Sequence, residues 1–182
     1  MFLLLSNQRF RKFWLGLLFN DAALAIEPLA LGWLVLDITN SPLWVGISAG
    51  VAGIGMTLFS PVAGVLADRY NRKYLLMLSL LVQSLAAIVL GILLVAGFLQ
   101  LYQALLFSFV SGLTGSVKFS CKMALTLDLA GRQNLLKGVA ANFFSMTVMG
   151  VVAPLAGGLI LAELGMLSLI HISEPTRRTP IS

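Results

Sequence analysis

Gly64-Val65-Leu66-Ala67-Asp68-Arg69-Tyr70-Asn71-Arg72-Lys73 is the stretch on which the fold turns, because its four charges stand between two long runs that contain none. Those runs, Leu43 to Ala67 and Tyr74 to Phe98, each exceed the roughly 20 apolar residues that a helix needs to cross a bilayer. A short charged link between two such runs makes them antiparallel neighbours that enter and leave the membrane on the same side.

Working outward, three more apolar segments appear at Phe13 to Leu36, Leu101 to Leu127 and Gly138 to Ala162, so the sequence predicts five spans. The other links are also short: Asp37-Ile38-Thr39-Asn40-Ser41-Pro42, a turn near Gln100, and Gly131-Arg132-Gln133-Asn134. With 59% hydrophobic and 10% charged residues in 182, the chain is too apolar for a soluble core. Its mean hydropathy is +0.97. The expected fold class is all-α, a polytopic membrane helix bundle over residues 1–166.

The basic residues gather on one side of the predicted spans. Arg9, Arg11 and Lys12 precede the first, Arg69, Arg72 and Lys73 follow the second, and Arg132 and Lys137 follow the fourth. The opposite links have no Lys or Arg, so the positive-inside rule puts the N-terminus and the basic loops in the cytoplasm. The net charge of +5 is thus a topology signal rather than a nucleic-acid footprint. The apolar-then-basic order of Met1 to Phe13 reverses that of a secretory signal. Cys121 has no partner for a disulfide, and one Cys with one His, His171, makes no conventional zinc site. No metal or cofactor is expected.

From Leu167 the sequence Leu-Ser-Leu-Ile-His-Ile-Ser-Glu-Pro-Thr-Arg reads as a translated transposase-type sequencing adaptor. Residues 167–182 are therefore expected to be a non-native tail, and His171 is set aside with them.

Gly64, Leu66, Ala67, Asp68, Arg69, Arg72 and Lys73 together resemble the loop 2/3 signature of the major facilitator superfamily of transporters. A plain basic turn would also satisfy the topology rule, but it would require neither Asp68 nor Gly64. The resemblance implies the first five helices of a six-plus-six helix fold, with Gly64, Asp68, Arg69, Arg72 and Lys73 in a latch that closes against a C-terminal half. Leu5-Ser6-Asn7, Phe10-Arg11-Lys12, Trp14-Leu15-Gly16 and Thr39-Asn40-Ser41-Pro42-Leu43 are similar to the branch that holds siderophore and macrolide exporters. Pro154, Gly157 and Gly158 resemble the fifth-span antiporter signature, although Met149 and Ala153 stand where it has glycines, and Pro154 is expected to distort the helix because it removes a backbone donor. Ser108 stands where many drug exporters carry a fourth-span arginine. The resemblance implies alternating access at a site near the bilayer midplane. The implied activity is proton-coupled efflux of a drug- or siderophore-like small molecule across the bacterial inner membrane.

Ionisable residues within a span are functional candidates by default. Asp21 and Glu27 in the first span are expected as proton or substrate contacts. Six residues at about 100° each put them roughly 120° apart around the helix, so they do not form a close carboxylate pair. Asp21 could equally satisfy helix backbone or meet an absent helix. Lys118 and Lys122 share one helix face, and snorkelling to the interface is preferred for them over a substrate or carboxylate contact. Gln83 and Asn142 are read as bridges between helices. Gly46, Gly50, Gly53, Gly55, Gly64 and Gly150 are expected to let helices approach.

No nucleophile with a nearby base and no carboxylate pair at catalytic spacing is present, which argues against an enzyme. An importer of small solutes and a non-transporting assembly protein stay open as alternatives.

Overall fold

The computed structural model describes residues 8–172, with only the backbone path given for Arg9 and 160–172. Five helices follow in order: α1 (Gln8–Thr39), α2 (Pro42–Arg69), α3 (Arg72–Val95), α4 (Leu101–Ala130) and α5 (Leu135–Ile172). One 3₁₀ turn, Arg132–Asn134, joins α4 to α5, and no strand occurs among the described residues. Even α3, the shortest at 24 residues, reaches about 36 Å and exceeds a hydrocarbon core of about 30 Å.

All five expected spans are present, and the differences lie at their ends. Helix α1 begins before Phe13, because Arg11 and Lys12 continue the helix while staying exposed at the bundle end. Helix α3 stops at Val95 rather than Phe98, since Gly97 takes a positive φ of 71° that ends the helix in a turn. Gln100 then starts α4 through a capping box with Gln103. The links at Asn40 (φ 49°) and Gly131 (φ 74°) turn the chain by the same left-handed device, which Asn and Gly tolerate best. Of the expected tail, residues 167–172 continue α5, while 173–182, like 1–7, lie outside the described residues.

Helix α4 is the centre of the bundle. Half of its most apolar window is buried, against 6% for α3 and 11% for α1 and α2. It packs on α2 and α3 and also touches α1 and α5, while α1 lies along α5. The α2/α4 contact depends on missing side chains. A Cβ on Gly112 would sit 2.1 Å from the carbonyl oxygen of Ala52, and one on Gly55 would sit 2.8 Å from that of Phe109. The backbones are thus in direct apposition, which in lipid gives van der Waals contact that bulkier residues would block.

Gly46, Gly50, Gly53, Gly64 and Gly150 have open space where a Cβ would stand, so no close approach within this chain requires them. The expectation of glycine-mediated packing therefore holds for Gly55 and fails for those five inside the five-helix cluster. On α3, Leu81, Leu85, Ile88 and Ile92 form an exposed stripe at helical spacing, suited to lipid.

At the basic end, Phe10, Ala130 and Ala141 bury one another, with Trp14 packed alongside donating its indole N–H to the Ala141 carbonyl at 3.0 Å. A second cluster joins Ala63 and Ala67 of α2 to Val117 and Cys121 of α4.

Gly112→Ala is expected to destabilise the bundle by about 1–3 kcal/mol, the usual range for overpacking, because backbone rather than a flexible side chain must yield. Gly64→Ala is expected to leave the chain's stability unchanged. Thermal unfolding in detergent, followed by circular dichroism, checks both.

Candidate functional site

Asp21 enters the interior from α1 and meets Lys122 of α4, whose Nζ donates to both carboxylate oxygens at 2.8 and 2.9 Å. Ser145 of α5 donates its hydroxyl to Asp21 Oδ2 at 2.6 Å, so one carboxylate ties three helices. All three residues are buried. This corrects the snorkelling expected for Lys122. Its amine turns inward because a carboxylate at the same depth offers a charge-assisted bond that the apolar surroundings cannot. It also answers where Asp21 finds its partner: on α4 of the same chain. Asn142 extends the network, donating from Nδ2 to Thr126 Oγ1, which in turn donates to the Lys122 carbonyl, each at 2.7 Å.

Glu27 lies almost two turns further along α1 and faces a different set. Gln83 of α3 donates from Nε2 to Glu27 Oε2 at 2.8 Å, and the Ser111 hydroxyl of α4 donates to Oε1. Thr114 of α4 donates to the remaining oxygen of Gln83. Every direct partner is neutral, so Glu27 is a half-buried carboxylate without an ion pair among the described residues. As the helical angle predicts, Asp21 and Glu27 do not meet. Gln83 and Asn142 both bridge helices, as expected for polar residues at this depth.

A cavity of about 310 Å³ opens between the helices beside the Asp21–Lys122 pair. Its wall is mainly apolar, with Leu24, Met56 and Met146, and its polar members include Asn20, Asp21, Lys118, Lys122 and Asn142. A second cavity of about 210 Å³ lies against Glu27, Ser108 and Ser111. Ser108 is fully buried and turns its hydroxyl onto its own helix, donating to the Ala104 carbonyl at 3.0 Å. No cation therefore projects from this position.

In the loop motif, Arg72 opens α3 and its Nη1 donates to both carboxylate oxygens of Asp128 at 2.7 Å, clasping the end of α4. Its Nε reaches the Ala67 carbonyl at 3.3 Å. Lys73 places its backbone N–H on the Asn71 side chain, which caps α3. Asp68 and Arg69 are exposed, and neither forms an ion pair among the described residues. Pro154 lies within the continuous helix α5, a Cβ on Gly157 would make only ordinary contact with Ile26 of α1, and one on Gly158 would meet open space.

Asp128, Ser111 and Ser145 were invisible as site residues in the sequence. Asp128 stands one residue past the predicted span, and its partner is 56 positions away. The serines are common in spans, and nothing local distinguishes those that meet a carboxylate.

Either Asp21→Asn or Lys122→Gln alone strands the opposite buried charge, a loss typically of about 3–5 kcal/mol. Each is expected to lower the melting temperature of the chain in detergent, and the double variant is expected to recover much of the loss. A double-mutant cycle on thermal unfolding measures that coupling.

The chain matches the family described as transmembrane secretion effector over residues 2–173. It is 29% identical over 164 residues to the enterobactin exporter EntS of Shigella flexneri, covering 90% of this chain and 40% of that protein. It is 28% identical over 164 residues to the Salmonella typhi protein of the same name (90% and 40%) and 29% identical over the same length to that of Escherichia coli O9:H4 (90% and 39%). The chain thus spans about two fifths of the length of these curated relatives. No solved structure gives a significant match. The five apolar helices are those of a multi-pass integral membrane protein, and by the family match over nearly the whole sequence the chain belongs to the transmembrane secretion effector family of the major facilitator superfamily.

Proposed function

We propose that this chain supplies the first five helices of a twelve-helix exporter that moves a small siderophore- or drug-like molecule out of a bacterium, driven by protons. The single observation that carries this reading is the cavity walled by all five helices, mostly apolar but with a few convergent polar groups. That is the form of a site for an amphiphilic small molecule. Similarity to the enterobactin exporters supports the outward direction, which the family fold alone does not give.

Glu27 is the better proton carrier of the two candidates. Asp21 is bound to Lys122, whereas every hydrogen-bond partner of Glu27 is neutral, which supports Glu27 as the proton carrier. Asp68, Arg69 and Gly64 face outward from the five helices and are available to a second half of the transporter, which supports the latch role for their loop. The basic loops are assigned to the cytoplasm and the membrane to the bacterial inner membrane.

The test is expression of the complete reading frame containing this chain in an efflux-deficient bacterium. A fall in cellular accumulation of a catecholate siderophore or an amphiphilic dye is expected, reversed by a protonophore. Higher accumulation would mark an importer and no change a non-transporting role, and either would end the export reading. Glu27→Gln is expected to reduce transport at least about tenfold and to flatten its pH dependence, as loss of a proton-transfer group does. Unchanged transport and pH profile would remove Glu27 from the coupling path. A reporter fused ahead of Met1 is expected to act on the cytoplasmic side.

A further inference from the structure

The charges around the larger cavity do not balance. Asp21 is spent on Lys122, with Ser145 completing its shell. Lys118, one turn earlier on α4, lines the same cavity, is only 4% exposed and has no hydrogen-bond or ion-pair partner among the described residues. Glu27, the other carboxylate within the first span, is engaged by Gln83 and Ser111 and forms no ion pair with Lys118 among the described residues. The cavity thus holds two ammonium groups and one carboxylate, a net positive charge among apolar walls.

Burying an unpaired ammonium at membrane depth is costly, and such groups pair or contact a ligand. A second group points the same way: Asn142 lines the cavity, is 2% exposed, and its Oδ1 is buried without a partner while its Nδ2 is used. An acceptor left open beside an unpaired cation asks for a donor as well as a negative charge.

We propose that this cavity is a binding site for an amphiphilic organic anion, with Lys118 Nζ holding its charged group, Asn142 Oδ1 accepting a hydroxyl or N–H, and Leu24, Met56 and Met146 covering its apolar part. The assignment deepens the exporter reading and rests on it for the meaning of the site, but binding itself requires no transport. Cationic drugs are disfavoured at this position, since they would meet Lys118 with like charge.

The protein encoded by the complete reading frame, in phosphatidylcholine nanodiscs, is dialysed against radiolabelled 3-hydroxy-2-naphthoate or, separately, naphthylmethylammonium. The wild type is expected to prefer the anion by roughly tenfold or more, the worth of a charge-assisted contact. Lys118→Gln is expected to abolish that preference and Lys118→Arg to keep it. Replacing the probe's hydroxyl by hydrogen is expected to weaken binding to the wild type and to leave an Asn142→Leu variant indifferent. Equal binding of anion and cation by the wild type, or an anion preference that survives Lys118→Gln, overturns the proposal. The wild-type comparison decides the matter even where a variant does not fold. Failure of the efflux assay with anion preference intact would overturn the transport reading and leave the site standing.

Discussion

The apposition of α2 and α4 at Gly112 fixes the position of α4, and the chemistry of the interior depends on that position. Because the bare α-carbon of Gly112 lies against the Ala52 carbonyl, α4 sinks into the middle of the bundle rather than riding on its surface. A helix that carries two lysines within one turn is then surrounded by other helices. Its ammonium groups face protein instead of lipid or water. Helix α3, with the highest hydropathy of the five, is left at the periphery.

Once Lys122 is inside, Asp21 and Ser145 become obligatory neighbours, for a single ammonium in that setting has few other stable options. The pair therefore specifies which face of α1 and of α5 meets α4. Glu27 performs a parallel task through neutral groups, joining α1 to α3 and α4. The two carboxylates of one helix thus differ in kind: one is ion-paired with a lysine, the other is hydrogen-bonded to neutral side chains. Their separation around α1 is what permits the division.

The loop motif also divides by environment. Arg72 works inside the chain, clasping Asp128 across the end of α4, and Asn71 caps α3. Gly64, Asp68 and Arg69 have no such engagement here. A motif of contiguous residues therefore contains some that stabilise the five helices and others turned away from them, a distinction that spacing does not reveal.

Sequence alone determined the five crossings, their antiparallel order and their links, because hydropathy over about 20 residues and the turn chemistry of Asn40 and Gly131 are local properties. It also identified Asp21 and Glu27 as the carboxylates to watch and placed them on different faces of one helix. Only the tertiary structure decided their partners. Whether a lysine snorkels or pairs depends on how deeply its helix is packed, and that depth follows from contacts between residues far apart in the chain, Gly112 with Ala52 above all. The same dependence hid Ser111, Ser145 and Asp128, ordinary residues until the fold sets each beside a charge.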